Sequence, residues 1–276
     1  MKIKDFEIPK SLEEAQAMLR KLGPAGFPIA GGTSALFLRN EQKTCVDINR
    51  LGLAGIHVAP DGFEIGATTT ITDLQTFAAS GWVLNRVADH FVTQQVRNVS
   101  TLGGNVARVF AWADFPVALL ALDASFVVKA DAKKVFDAVK FFDGQPARLL
   151  APGDLLASVR IPSVSKPCGF GYQKITRTSA DYSMATAAAW VRMDGRKIAD
   201  ARVAVGAAVT MPRRMSAIEK ELAGGTADPG RIDEIVARGW EGTIRKAWPG
   251  LAEDYVRHVA KVAVRDAILE AVGGAS

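Results

Sequence analysis

The chain has 276 residues, 49% of them apolar and 23% charged, which excludes a disordered or fibrous class and leads us to expect two domains. Its net charge of +5 comes from Lys and Arg interleaved with acids, and the densest clusters, Arg213-Arg214 and Lys133-Lys134, are only pairs, so nucleic acid is not an expected partner. The two cysteines, Cys45 and Cys168, are far apart and the three histidines stand alone, which excludes an iron-sulfur cluster or zinc site built within this chain and leaves no metal ligands to name.

The first seven residues alternate charged and apolar side chains and lack the apolar block of a signal peptide. Ser11 followed by Glu14 reads as a capping box, and Leu12, Ala15, Leu19 and Leu22 recur at helical spacing until Gly23. Short apolar runs at 27–30 and 46–48 predict two strands separated by a loop, so the opening segment reads as a small α/β unit. The turn signal Pro60-Asp61-Gly62 predicts a hairpin over 56–67. Thr72 and Asp73 open a helix, a second helix covers 84–93, and the polar stretch 94–101 leads into a glycine turn. Pro116 suits the first turn of a helix through Leu122, and 125–130 returns as a strand. The longest apolar stretch, 115–122, is far shorter than the ~20 residues of a membrane span, so a cytoplasmic location without a membrane span is expected.

Residues 155–161 read as a strand halted by Pro162, and the stretch 162–167, with its prolines and serines, is the expected domain boundary. Beyond it, strands are predicted over 170–175, 185–193 and 198–209, the last two joined at Asp194-Gly195 as a hairpin. Helices follow over 216–222, 231–238 and 251–272. Strands followed by helices indicate an α+β C-terminal domain.

Two segments carry the chemistry: Ile29-Ala30-Gly31-Gly32-Thr33-Ser34 and Ser100-Thr101-Leu102-Gly103-Gly104-Asn105. Each is expected to follow an extended segment, and each combines two glycines with small hydroxyl side chains. Without Cβ atoms, backbone N–H groups can approach phosphate oxygens closely. Neither segment contains Lys or Arg, so an anion would be held there by backbone dipoles, hydroxyls and the Asn105 amide. The pattern is neither a Walker loop nor the G-x-G-x-x-G fingerprint of a Rossmann fold. A single Gly-Gly pair is usually only a tight turn.

These two segments, followed by Ala113-Asp114 and the run 118–124, resemble the FAD-binding subunit of the xanthine dehydrogenase and carbon monoxide dehydrogenase family of molybdenum hydroxylases. Gly171-Tyr172-Gln173-Lys174, with Arg177 and Asp181-Tyr182 after it, is similar to the start of that subunit's C-terminal domain. The resemblance implies an α+β protein whose PCMH-type FAD-binding domain, 1–165, has subdomains of about 1–53 and 54–165, followed by a smaller α+β domain, 166–276. It implies that Ile29, Ala30, Gly31, Gly32, Thr33, Ser34, Thr101, Gly104 and Asn105 hold the pyrophosphate and neighbouring groups. Asp114 is then expected near the cofactor's hydroxyls or polar ring edge, or alternatively as the N-cap of the Pro116 helix. Lys174 is a candidate for the isoalloxazine end, or else a solvated strand lysine; Tyr182 either edges the ring or belongs to the core.

The resemblance further implies an electron-transfer subunit that performs no substrate chemistry itself. A small iron-sulfur subunit would supply electrons from a large molybdenum-cofactor subunit, and NAD, oxygen or a quinone would accept them. The chain departs from the family pattern at Ser34, where an acidic residue is often seen, and at Phe110-Ala111-Trp112, where small residues are usual. It also lacks the cysteine-rich insertion of the 4-hydroxybenzoyl-CoA reductase flavin subunit. The rival readings are a self-sufficient FAD oxidoreductase and a cofactor-free assembly protein of the same fold.

Overall fold

In the computed structural model, which describes residues 2–35, 41–178, 181–245 and 250–275, the strands gather into three sheets. The first is parallel, with order β1-β3-β2 from β1 (Lys2–Glu7), β2 (Gly26–Ile29) and β3 (Gln42–Asp47). Helix α1 (Leu12–Leu22) starts at Ser11, whose hydroxyl accepts the Glu14 N–H at 3.2 Å. The Glu14 carboxylate takes the Lys10 N–H at 2.6 Å, one residue ahead of the cap. Ala15 and Leu19 of α1 are buried against Val46 and Leu155. Strand β1 was not anticipated, because its alternation does not bury one face: Lys2 to Phe6 are all exposed and the strand pairs only at its β3 side.

The second sheet has order β4-β5-β8-β6-β7, built from β4 (Ile56–Ala59), β5 (Gly62–Gly66), β6 (Ser125–Lys129), β7 (Lys134–Asp137) and β8 (Leu155–Pro162). The expected hairpin turns at Pro60-Asp61. Between β5 and β6 run α2 (Ile71–Thr76), α3 (Leu84–Asp89), α4 (Gln94–Val99), α5 (Leu102–Ala107) and α6 (Phe115–Ala121). Thr70 and Asp73 form a complete capping box for α2. Two expectations need correction here: the polar stretch after residue 93 is helical, and Gly103-Gly104-Asn105 lies inside α5, not in a turn. Thr101 caps that helix by accepting the Gly104 N–H on its hydroxyl at 3.1 Å, which offsets about half of what two glycines cost a helix. Strand β7 and the short helix α7 (Ala138–Phe141) were not predicted.

The third sheet is antiparallel, with order β12-β11-β10-β9 from β9 (Cys168–Ile175), β10 (Ala185–Asp194), β11 (Lys197–Gly206) and β12 (Arg213–Arg214). Helices α8 (Ser216–Leu222), α9 (Pro229–Arg238) and α10 (Glu253–Ala275) follow. Because side chains alternate along a strand, Ala185, Ala187, Ala189 and Val191 of β10 pack with α10 residues such as Ala263 and Ala267. Ala188 and Trp190 point the other way, joining Phe170, Tyr172 and Ala204 in the core that contains α6. The α10 contact is close enough that a Cβ on Gly169 or Gly171 would fall 1.9 Å from the Ala271 oxygen or 2.0 Å from that of Ala267. Strand β11 ends three residues earlier than expected, where Ala207 takes a φ of +59° and leaves the extended path. Helix α6, buried along its whole length, therefore lies between the second sheet and the third. The architecture is the expected α+β one, and it is not doubly wound.

Candidate flavin site

A cleft of about 430 Å³ is lined by Ile29, Ala30, Gly31, Gly32, Thr33 and Ser34 on one side and by Thr101, Gly104 and Asn105 on the other. All nine expected pyrophosphate residues therefore converge, although about 70 positions of chain separate the two groups. What draws them together is a backbone contact. A Cβ on Gly31 would sit 1.7 Å from the Val99 carbonyl oxygen, so only glycine lets the first segment close on the α4–α5 junction. The Thr33 and Ser100 hydroxyls share a hydrogen bond of 3.0 Å across the same junction. Gly32 has a φ of +70°, and the Ala35 N–H returns to its carbonyl at 3.0 Å, which turns the chain after the pair.

The second glycine pair divides its work. A Cβ on Gly103 would lie 2.6 Å from the Ala67 oxygen, so this residue seats α5 against the segment after β5. Gly104 faces the cleft, and a Cβ there would meet only the Thr101 hydroxyl, at 3.0 Å. Next to it, the buried Asn105 Oδ1 has no hydrogen-bond partner. A buried amide oxygen left without a donor is costly, and in a wall beside an open glycine it suits a ligand that carries hydroxyl or N–H donors. The group the resemblance implies, FAD, has such donors as well as phosphates, so the residues fit it.

Asp114 and Lys174 do not line this cleft; they are joined to each other. Lys174 Nζ lies 3.1 and 3.2 Å from the two Asp114 carboxylate oxygens, and both side chains are less than a tenth exposed. Tyr172 donates its hydroxyl to Asp114 at 2.9 Å, and Lys174 also donates to the His90 carbonyl at 3.0 Å. Burial pushes the Asp114 carboxyl up from its ordinary value, against the opposing pull of Lys174 and of the hydrogen bonds. Burial, reinforced by Asp114, pushes the Tyr172 phenol well up. Lys174 is thus no solvated strand lysine. Asp114 occupies the N-cap position of α6 without a side-chain capping bond, its oxygens being turned across to β9.

Sequence reasoning overlooked two cations at the cleft, Lys43 and Arg108, because it considered only the glycine segments themselves. Lys43 is held by the Pro24 carbonyl at 2.7 Å and Glu41 at 3.2 Å. Arg108, the residue that ends α5, lines the cleft and makes no ion pair among the described residues. A basic residue immediately after the motif was the signal available.

Residues 2–164 match the FAD-binding domain of molybdopterin dehydrogenase, and residues 170–271 match the C-terminal domain of the CO dehydrogenase flavoprotein. The chain belongs to the FAD-binding subunits of the molybdenum hydroxylases. Its FAD-binding family match alone spans more than half of the chain. Among its relatives, the carbon monoxide dehydrogenase medium chain of Afipia carboxidovorans is 28% identical over 84% of each chain. The nicotine 6-hydroxylase medium subunit of Paenarthrobacter nicotinovorans is 30% identical over 83% of each. The structure superposes on CO dehydrogenase from Oligotropha carboxidovorans with a TM-score of 0.91, at 28% identity and 98% coverage of both chains. The match to quinoline 2-oxidoreductase from Pseudomonas putida 86 has a TM-score of 0.87, at 26% identity. This chain is accordingly an FAD-binding subunit of an oxidoreductase, and no described helix is long and apolar enough to cross a membrane.

Proposed function

We propose that this chain takes electrons from the iron-sulfur clusters of a small partner subunit, which a large molybdenum-cofactor subunit reduces, and passes them to an external acceptor such as NAD, oxygen or a quinone. Bound FAD would supply a carrier able to accept electrons from one side and release them on the other. The observation that supports the reading best is the convergence of both glycine segments on one cleft whose wall contains the unpartnered Asn105 oxygen. In this reading residues 29–34 and Thr101, Gly104 and Asn105 hold the pyrophosphate and adjoining groups. Arg108 adds a cation that the segments lack, able to pair two phosphate oxygens through its planar fork. The paired Asp114 and Lys174 set the flavin's polar surroundings through the junction they build with Tyr172 and the His90 carbonyl. The reading keeps the division at about 165, with subdomains near 1–53 and 54–165, and a cytoplasmic location.

The test is the source of electrons. Under anaerobic conditions, substrate added to the purified full chain should leave its flavin oxidised. After reassembly with the cluster and molybdenum subunits, stopped-flow absorbance should show the same substrate bleaching it. Bleaching of the isolated chain at the rate of the complex would make it a self-sufficient oxidoreductase and sink the proposal.

A further inference from the structure

The segment after α5 carries two ring–ring contacts and a cation–π contact that the pyrophosphate site does not use. Phe110 lines the cleft. Its ring is stacked on Trp112, with centroids 5.3 Å apart and planes 15° from parallel. Trp112 in turn lies 4.6 Å from the ring of Tyr182, which stands nearly half-exposed just ahead of β10. The Arg245 guanidinium sits 6.0 Å from the Trp112 ring centroid and donates to the Ala207 carbonyl at 3.0 Å, while the Ala207 N–H donates to the Ala111 carbonyl at 2.9 Å. The rungs thus run from the cleft wall in the FAD-binding domain to residues of the C-terminal domain. Trp112 is the middle rung.

We propose that the Phe110–Trp112–Tyr182 ladder is a clasp that ties the C-terminal domain to the cleft and retains the cofactor, with Trp112 a positioning residue acting through its two neighbours. The inference rests on the assignment of the cleft to FAD. A small residue at 112 would remove both ring contacts, to Phe110 and to Tyr182. Trp112 makes both with a rigid side chain that loses little conformational freedom. A clasp opposes departure of the ligand more than its entry, so its removal acts on the release rate, where affinity differences within one site mostly reside.

The experiment uses the full chain loaded with FAD, with release followed by flavin fluorescence after dilution and association followed by its quenching. Trp112→Ala should speed release about tenfold, the order of one lost aromatic contact, with association unchanged and Trp112→Phe restoring slow release. Thermal unfolding of the cofactor-free chain separates this from a structural role, which would lower stability without dividing the two rates. Release from Trp112→Ala at the wild-type rate would overturn the clasp, as would Trp112→Phe releasing as fast as Trp112→Ala. If Trp112→Ala does not fold, Tyr182→Leu, at an exposed position, should show the same faster release, and a wild-type rate there overturns the proposal equally. A wild-type chain that retains no FAD removes the cleft assignment itself, and the clasp with it.

Discussion

Gly104→Val should yield a folded chain that no longer holds FAD. The position is open on the cleft side, and a valine there would project two methyl groups into the space where the backbone of α5 faces the ligand. The cost to the fold is small: valine is a better helix former than glycine, and the only local loss is the Thr101 cap, worth about 1 kcal/mol. The cost to binding is large, because the close backbone approach has no substitute; we expect affinity to fall at least about a hundredfold, equivalent to some 2.7 kcal/mol. Flavin absorbance of the purified variant, set against its circular dichroism, reads the two effects separately. Gly103→Val is the contrasting case, since its Cβ would collide with Ala67 and the fold itself should suffer. A folded Gly104→Val chain with a full complement of FAD would mean that the pair only shapes the helix.

Lys174→Ala should destabilise the chain by about 3–5 kcal/mol at neutral pH, the range for removing one member of a buried ion pair. The loss is mostly the orphaned Asp114 carboxylate, which would keep only the Tyr172 hydroxyl as a donor. Its pH dependence has a definite sign. With its folded-state affinity for protons raised above the unfolded one, Asp114 favours the fold when protonated, and that contribution is lost as pH rises through the folded-state value. The deficit relative to wild type should therefore be smaller in mildly acidic solution and grow toward neutral pH, as pH rises from the ordinary aspartate range through the raised folded-state value. Urea unfolding at the two pH values measures it. Asp114→Asn combined with Lys174→Met, which removes both charges, should recover much of the loss; a double variant no more stable than Lys174→Ala would show that the pair is not the cause.

The periodic elements were legible because their signals are local. Ser11 and Glu14 started α1, Pro60-Asp61-Gly62 turned the first hairpin, and Asp194-Gly195 turned the hairpin of β10 and β11. Strand β1 was hidden because it forms on the edge of a sheet whose other strands lie 20 to 40 residues away, without burying a face of its own. The helix α5 was hidden because Gly103-Gly104 argues against a helix unless the cap at Thr101 and the seat on Ala67 are known. The same limit governs the site. Glycine segments can be recognised one at a time, whereas the joining of Asp114, Tyr172 and Lys174 depends on side chains of β9 reaching the residue ahead of α6 across a sequence separation of 58 to 60. Tyr182 shows the point in reverse, since an aromatic beside a strand suggested the core and its ring is held at the surface against Trp112.

Whether the cleft is a dinucleotide site is decided by the affinity of the cofactor-free full chain for FAD and for FMN, compared by calorimetry in the same buffer. Both carry the isoalloxazine ring, but only FAD has the pyrophosphate that the glycine segments and Arg108 are assigned to hold, and beyond it the hydroxyl and N–H donors of the adenosine half that suit the Asn105 oxygen. One FAD per chain is expected, bound at least about a hundredfold more tightly than FMN, a difference the loss of several charge-assisted hydrogen bonds readily supplies. Equal affinity for the two, or stoichiometric binding of FMN alone, would contradict it.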